Sequence, residues 1–287
     1  MKVRTGRFRD GAGDTATDVV SVGIEATRLA GTVPETSVPF EVPKAQVTVT
    51  ADGLEVAVPD AVLVSPSGKK VPLKAGRLNV GPLGGAPAVA EVSVRSQGAL
   101  QPIIDIATSE SGLTLGVAQS FVQALDGKSD AMLSARFPLT GTASLADASL
   151  AGKIKLTELR AKQKIGPYEV QGGTMDIDLT EDGASVAGDL LVNGVLAKLS
   201  GRHAWKDPVG EGDPLRIGAR LDNADRTQLA LDLNHIVQGE MGVDIAVDIN
   251  PLTKAPRIAV TGDLSDAELT LYDLAFRKPR GRPATVT

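Results

Sequence analysis

The stretch Val-Asp-Ile-Ala-Val-Asp-Ile-Asn, residues 243–250, decides the fold class of this chain. Its large apolar side chains recur at every second position, and the residues between them are mostly polar. Because successive side chains of a β-strand point to opposite faces, this period predicts a strand with one dry face and one wet face. Such strands are typical of an antiparallel sheet that is covered on a single side.

The same alternation recurs along most of the chain. It is found in residues 45–50, 88–95, 131–137, 175–180, 195–200 and 215–222. Turn sequences lie between these segments, among them Ala51-Asp52-Gly53, Glu181-Asp182-Gly183 and Asn193-Gly194. Asn-Gly between two alternating runs is a strong signal for a two-residue hairpin. Repeated alternation joined by hairpin turns predicts a mainly β, antiparallel architecture.

Three short stretches are predicted to be helical, the first two because their apolar residues recur at helical spacing and the third because of a capping signal. The first is residues 99–107, and the second is residues 115–125, with Gly127 as its stop signal. The third begins at Asp225, with Gln228 completing a capping box. All three are too short to be stable alone, so they are expected to pack on the sheet.

A change in pattern at Gly127-Lys128-Ser129-Asp130 suggests two parts. Residues 1–127 are predicted to be a strand-rich block closed by two short helices. Residues 128–287 are predicted to be an antiparallel groove segment that continues the sheet. A new strand-like pattern begins at residues 284–287, which suggests that the chain is an internal piece of a longer protein.

Composition excludes several classes of function. Hydrophobic residues make up 42% of the 287 residues but aromatics only 3%, so the apolar content is aliphatic. The net charge of -5 provides no basic field for nucleic acid. The absence of cysteine excludes disulfides and thiolate metal sites. No apolar run approaches the ~18 residues that a membrane-spanning helix needs.

Groups that carry catalysis are sparse. The two histidines, His203 and His235, lack the spacing of a helical metal pair. Hydrolase elbows, phosphate loops and dinucleotide fingerprints do not occur. Asp176, Asp178 and Asp182 lie along a predicted strand and its turn, whereas a calcium site needs ligands that converge from a curved loop. We therefore expect a non-enzymatic protein with no catalytic residues, no metal and no cofactor.

Four stretches resemble a known family: residues 138–150 (Pro-Leu-Thr-Gly-Thr-Ala-Ser-Leu-Ala-Asp-Ala-Ser-Leu), 172–179 (Gly-Gly-Thr-Met-Asp-Ile-Asp-Leu), 221–239 and 262–279. The repeat pattern of these stretches resembles that of the AsmA-like superfamily of bacterial envelope proteins, and most closely that of its YhdP-like branch. Residues 221–239 resemble that family's short helix, strand and glycine signature. Residues 1–44 resemble it least.

The resemblance implies a location and a role. Members of the family are long periplasmic proteins, anchored by an N-terminal inner-membrane helix, whose sheet rolls into an open groove. They are implicated in phospholipid transfer towards the outer membrane and hence in outer-membrane biogenesis. The expected partners of this chain are therefore phospholipid acyl chains and other envelope proteins. Contact with the membrane is expected through parts of the parent protein that this chain lacks, and the family has no catalytic residues to carry over.

The fold expected from pattern and resemblance together is a curved, taco-like antiparallel sheet that forms an open groove with a few short helices. Its candidate lining residues are Leu156, Met175, Ile177, Leu179, Val186, Leu190, Val192, Leu199, Ile217, Val243, Ile245 and Val247. The alternative is a non-catalytic β-sandwich, an interaction or adhesion module whose apolar faces form an ordinary packed core. Alternation alone does not separate a groove from a packed core.

Overall fold

A computed structural model describes residues 2–8, 19–33, 37–50, 52–82, 88–110, 123–139, 148–164, 167–204, 214–249 and 256–287. Within these residues the chain forms eighteen strands. Their bounds are β1 (Lys2–Phe8), β2 (Val19–Thr32), β3 (Pro39–Val49), β4 (Leu54–Val64), β5 (Lys70–Gly81), β6 (Val89–Ala99), β7 (Leu125–Pro138), β8 (Ser149–Ala161), β9 (Val170–Thr180), β10 (Gly183–Val192), β11 (Val195–Ala204), β12 (Leu215–Leu221), β13 (Val237–Gly239), β14 (Met241–Ile249), β15 (Pro256–Asp263), β16 (Ala267–Leu271), β17 (Phe276–Lys278) and β18 (Thr285–Val286). The helices are α1 (Leu100–Glu110), α2 (Asn223–Gln228) and a 3-10 turn at Tyr272–Leu274.

The strands follow one another in a nearly sequential meander. The large sheet has the order β1 to β12, then β14, β15 and β18, and a small second sheet has the order β13-β16-β17. Neighbouring strands pair antiparallel. The sheet is curved and not closed, and the helices are few and short. The predicted fold class is therefore confirmed.

The chain divides into two compact units that are discontinuous in sequence. The first comprises Met1–Leu113, Ser129–Ile154 and Leu179–Glu181; the second comprises Thr114–Lys128, Lys155–Asp178 and Asp182–Thr287. The predicted boundary segment, residues 127–130, lies inside strand β7. The division into residues 1–127 and 128–287 stays a prediction.

All seven alternating segments lie in strands, apart from single residues at their ends and Asn250, which lies outside the described residues. They fall in β3, β6, β7, β9, β11, β12 and β14. The Asn193-Gly194 turn is also confirmed, because Val192 pairs directly with Val195 and both turn residues have positive φ, 47° and 81°. Such a pair of left-handed residues is the two-residue turn that matches the twist of the flanking strands.

The first predicted helix is confirmed as α1, whereas the second needs correction at its end. Residues 115–122 of that prediction lie outside the described residues. Leu125 was expected in the helix but is the first residue of β7. Gly127 was expected to stop the helix but lies within the strand, with φ 153° and only 2.8 Å between an ideal Cβ and Thr157 O. This glycine allows a close approach of two strands and is not a helix cap.

The third helix exists but begins earlier than predicted. Its N-cap is Asp222, whose carboxylate accepts hydrogen bonds from the backbone N–H groups of Ala224 and Asp225, at 2.7 and 2.8 Å. Asp225 is the third helical residue, and its carboxylate accepts from the backbone N–H of Asp222. Asp225 thus completes the capping box that was assigned to Gln228, because an aspartate reaches the N-cap amide as a glutamate does.

Glycines lie where the facing backbones of strands β9 and β10 leave no room for a Cβ. A Cβ on Gly188 would lie 2.3 Å from Thr174 O and 2.9 Å from Met175 Cα, and one on Gly173 would lie 2.6 Å from Asp189 O. Any side chain at these positions would push the two strands apart. Glycine kinks of this kind are a recognised means of bending a sheet, so these positions favour its curvature.

Candidate functional site

Strand register in the second unit places apolar residues in continuous rows across the sheet. Leu199 lies opposite Ile217, Ile217 lies opposite Ile245, and Ile245 lies opposite Val260. Directly opposed residues of antiparallel strands share a face, so these four side chains lie on one side of the sheet. We call this side of strands β10, β11, β12, β14 and β15 the apolar face.

The apolar face carries almost no polar side chain. Every described side chain on it is aliphatic, a methionine or a glycine, apart from His203 at the far end of β11. Its members are Ala184, Val186, Gly188, Leu190, Val192, Val195, Ala197, Leu199, Gly201, His203, Leu215, Ile217, Ala219, Leu221, Met241, Val243, Ile245, Val247, Ile258, Val260 and Gly262.

The opposite side of the same strands is charged and wet. Arg216 on β12 donates to the carboxylate of Asp244 on β14, with Nη1 and Oδ1 2.9 Å apart and both side chains about half exposed. Lys198 and Ser200 on β11 are exposed on that side as well. The two faces of each strand therefore differ as the alternation predicted, with water on one side and hydrocarbon on the other.

Burial on the apolar face falls along β12 and β15, whereas Leu190 on β10 and Leu199 on β11 are buried, at 7% and 8% exposure. On β12, Leu221 is 1% exposed, Ile217 is intermediate, and Leu215 is 37% exposed. On β15, Val260 and Ile258 are 51% and 62% exposed. A closed two-sheet core would bury both ends of a strand alike. This face is instead covered at the Leu221 end and increasingly open towards Leu215.

A set of short elements covers the closed end. We call it the end cap; it consists of α2, residues 229–236, β13, β16 and β17. It surrounds a buried cluster formed by Val195, Leu221, Val237, Met241, Leu264 and Ala267, with Ala219, Leu229, Leu231, Leu233, Ile236, Val243, Leu269 and Ala284 packed around it. Val195, Leu221 and Met241 of the apolar face belong to this cluster. The end cap and the adjoining part of the apolar face therefore form one hydrophobic core.

A fully buried arginine holds the end cap together. The guanidinium of Arg226, which is 0% exposed, donates to the backbone carbonyls of Leu221, Val237 and Gly239 at 2.8–3.0 Å. It also donates to the side-chain oxygens of Asn234 and Asn223, at 2.8 and 2.6 Å. All five N–H donors of the fork are therefore satisfied.

The electrostatics of Arg226 fit a structural role. Burial lowers the pKa of its guanidinium, and the nearby carboxylates of Asp222 and Asp225 oppose that shift. An arginine with such a high ordinary pKa remains charged. It therefore serves as a permanent donor that links helix α2 to strands β12 and β13.

A second buried cation closes the other side of the end cap. Lys278, 6% exposed, donates from Nζ to the carbonyls of Ala267, Pro279 and Arg282, at 2.8, 3.1 and 2.8 Å. These three acceptors use all three of its N–H donors. The ammonium thus fixes the turn after β17 against the start of β16.

The structure places most predicted lining residues on one surface. Eight of the twelve lie on the apolar face as defined, on β10, β11, β12 and β14: Val186, Leu190, Val192, Leu199, Ile217, Val243, Ile245 and Val247. Met175 and Ile177 lie on β9 and Leu156 lies on β8, whereas Leu179 belongs to the first unit. Their role in binding a ligand stays a prediction.

Sequence reasoning missed several members of this site. Leu215, Ile258 and Val260 are apolar-face residues, and the alternation in Arg257-Ile258-Ala259-Val260 was a usable signal for two of them. Arg226 and Lys278 had no such signal. Their burial depends on backbone carbonyls that come from separate strands.

Other kinds of site are not found in the part of the chain that the structure describes. No group of three or more His, Asp or Glu side chains there is arranged to hold a metal ion. No described helix has the length and apolarity needed to cross a bilayer.

The comparisons with known proteins add no assignment to this geometry. Neither a protein-family model, nor a curated protein, nor a solved structure matches the chain.

Proposed function

We propose that this chain is a segment of an AsmA-like periplasmic protein and that its apolar face binds phospholipid acyl chains during transfer between the inner and outer membranes. Membrane anchoring would belong to other parts of the parent protein. The observation that carries the proposal is an uncharged aliphatic face that is closed at one end by the end cap and open at the other.

The size of the apolar face suits a hydrocarbon chain. The five strands β10, β11, β12, β14 and β15 span four inter-strand spacings, about 19 Å. Removing acyl chains from a bilayer costs ~0.8 kcal/mol per CH₂, so a sixteen-carbon chain represents roughly 12 kcal/mol. Rows of valine, isoleucine and leucine offset this cost because they offer contact without polar groups that would have to be desolvated.

The distribution of charge indicates which part of a lipid is bound. Charged side chains such as Arg216 and Asp244 lie on the opposite side of the sheet and pair with each other. The apolar face thus offers a headgroup no ion-pair partner. Binding is therefore expected to depend on acyl chains and to tolerate different headgroups, while the headgroup stays in water beyond the open end.

Partial exposure favours this proposal over a packed β-sandwich. In a sandwich core, interdigitating side chains from a second sheet would exclude solvent from Leu215 and Ile258. Both are 37% exposed or more, and the three large side chains below 2% exposure among the described residues are Arg226, Leu159 and Leu221. Two of these three belong to the end cap and its cluster, away from the open rows.

Lipid capture by the purified chain tests the proposal. The protein would be incubated with zwitterionic phospholipid vesicles carrying a trace of acyl-labelled phospholipid, separated from them, and analysed by native mass spectrometry. Co-migrating lipid is the expected result. Ile217→Asp should abolish it, because a carboxylate in the middle of the apolar face cannot be solvated beside an acyl chain.

Matched variants separate loss of binding from loss of folding. Ser200→Asp places the same carboxylate on the exposed opposite side of β11 and should leave capture unchanged. Leu215→Asp should weaken capture with little change in melting temperature, since this side chain is already 37% exposed. A lipid-free wild type, or equal capture by Ile217→Asp and Ser200→Asp, would overturn the proposal.

A further inference from the structure

Three pairs of apolar residues on strands β12 and β14 form a partly exposed strip in the middle of the apolar face. Strand register places Leu215 opposite Val247, Ile217 opposite Ile245, and Ala219 opposite Val243. All six side chains retain some exposure to solvent. We call these six residues the central strip. It runs parallel to the strands, because its pairs follow one another at every second residue.

The central strip ends at a buried pair. Leu221 on β12 and Met241 on β14 form the next opposed pair, and they are 1% and 7% exposed. Both belong to the buried cluster that the end cap surrounds. The change from partly exposed to buried side chains therefore occurs at the same level on the two strands. We call this buried pair, together with the end cap that covers it, the end wall.

The opposite end of the central strip is its most open part. Leu215 is 37% exposed there. On the β11 side the strip is bordered by Ala197 and Leu199, which lie opposite Ala219 and Ile217 and are 7% and 8% exposed. A long apolar molecule therefore has access from the Leu215 end, and one that lies along the strip meets the end wall.

The length of the central strip matches the space that one acyl tail occupies in a membrane. From Leu215 to Ala219 the strand advances by four residues, a distance of about 14 Å. The hydrocarbon core of a bilayer is ~30 Å thick and holds two leaflets, so a tail in one leaflet occupies about 15 Å. A tail that lies along the strip thus covers all three pairs of residues, with its terminal methyl group against the end wall and its headgroup outside the Leu215 end.

We propose that the central strip receives one acyl tail with its methyl end first, and that the end wall sets an upper limit to the tail length that this protein captures from a bilayer. This selection by tail length rests on the proposed function and adds a criterion that the headgroup does not provide. Within the limit, each CH₂ group leaves the hydrocarbon of the bilayer and gains equivalent contact with the strip, so length has little effect. Each CH₂ group beyond the limit stays in water, which lowers capture about fourfold.

Two residues at the foot of the central strip determine where the limit lies. Ala219 and Val243 form the pair next to the end wall, so the terminal methyl group of the tail would contact them. Because side chains and a bound tail share a close-packed volume, each carbon atom added there displaces about one CH₂ group of the tail. Ala219→Leu should therefore shorten the limit by about three CH₂ groups, and Val243→Ala should lengthen it by about two.

Capture from vesicles of mixed tail length measures the limit. Phosphatidylcholine vesicles would carry trace, equimolar monoacyl phosphatidylcholines that differ only in tail length, because a single tail leaves no choice of which tail enters. After incubation with the purified chain, native mass spectrometry would compare the captured mixture with the vesicle mixture. The two should agree up to the length of ordinary membrane tails, and each further CH₂ group should lower capture about fourfold. Ala219→Leu and Val243→Ala should move this break in opposite directions.

Ala246→Leu is the matched control, because Ala246 lies on the charged side of β14, opposite Arg216. Its break should coincide with that of the wild type, and melting temperatures would establish that each variant folds. Capture that follows the vesicle mixture at every length, as a tail lying across the strands towards β15 would give, overturns the length limit but leaves lipid binding intact. A break that stays in place in the folded variants does the same. A chain that captures no lipid of any length overturns the proposed function, and the limit with it.

Discussion

Replacing Arg226 by methionine should release the end cap while leaving the sheet formed. Methionine fills much of the volume of arginine but donates no hydrogen bonds. The carbonyls of Leu221, Val237 and Gly239 would then be buried without a partner. At about 1 kcal/mol for each carbonyl, the lower end of the usual range, the end cap loses ~3 kcal/mol.

Hydrogen exchange followed by mass spectrometry measures this loss where it occurs. A loss of ~3 kcal/mol corresponds to roughly 100-fold faster exchange through local opening. The acceleration should be confined to peptides covering residues 222–240 and 264–284, whereas peptides from β10 and β11 should change much less. Urea unfolding should show an early transition of the same region.

Arg220→Met is the matched control. Arg220 lies on β12, 65% exposed, and pairs with Glu240 and with Asp266 at 2.7 Å. Exposed pairs contribute ~1 kcal/mol or less, so exchange in the end cap should change by less than about fivefold. If Arg226→Met and Arg220→Met behave alike, then the five hydrogen bonds of Arg226 do not hold the end cap and the reasoning fails.

Two further substitutions probe acid sensitivity and strand spacing. The hydrogen bond from Arg277 lowers the pKa of Glu268, so this pair stabilises the end cap above the ordinary glutamate pKa and the effect is lost as pH falls through the lowered value. Glu268→Gln should therefore flatten the acid side of a melting-temperature profile below about pH 5, and an unchanged slope would contradict this. Gly188→Ala should cost about 2 kcal/mol in urea unfolding, because its Cβ would meet Thr174 O at 2.3 Å. Ala187→Ser on the exposed side is its control, and equal midpoints for the two variants would refute the close approach.

Local pattern was sufficient for most elements of this protein. The period of two in residues 243–250 correctly predicts strand β14 and which of its side chains share a face. Asn193-Gly194 correctly predicts a hairpin, because few residue pairs adopt two successive positive φ angles. Both signals depend only on neighbouring residues. The eight predicted lining residues that lie on the apolar face follow from the same period.

The sequence-based predictions failed where contacts with a distant part of the chain determine the role of a residue. Gly127 has the local signature of a helix stop, but the strand at Thr157 determines its role. Arg226 has the local signature of a surface residue on a short polar helix. Its burial requires carbonyls from β12 and β13, which neighbour it only after folding.

Leu215 and Leu221 show that the alternation in the sequence does not predict how far a side chain is buried. They are the same residue type, on the same strand and the same face, and the alternation of β12 treats them identically. The alternation therefore predicts only that both leucines share one side of the strand. Tertiary structure alone decided that the end cap buries Leu221 to 1% exposure and leaves Leu215 at 37%, because coverage depends on elements that return to the sheet from elsewhere in the chain.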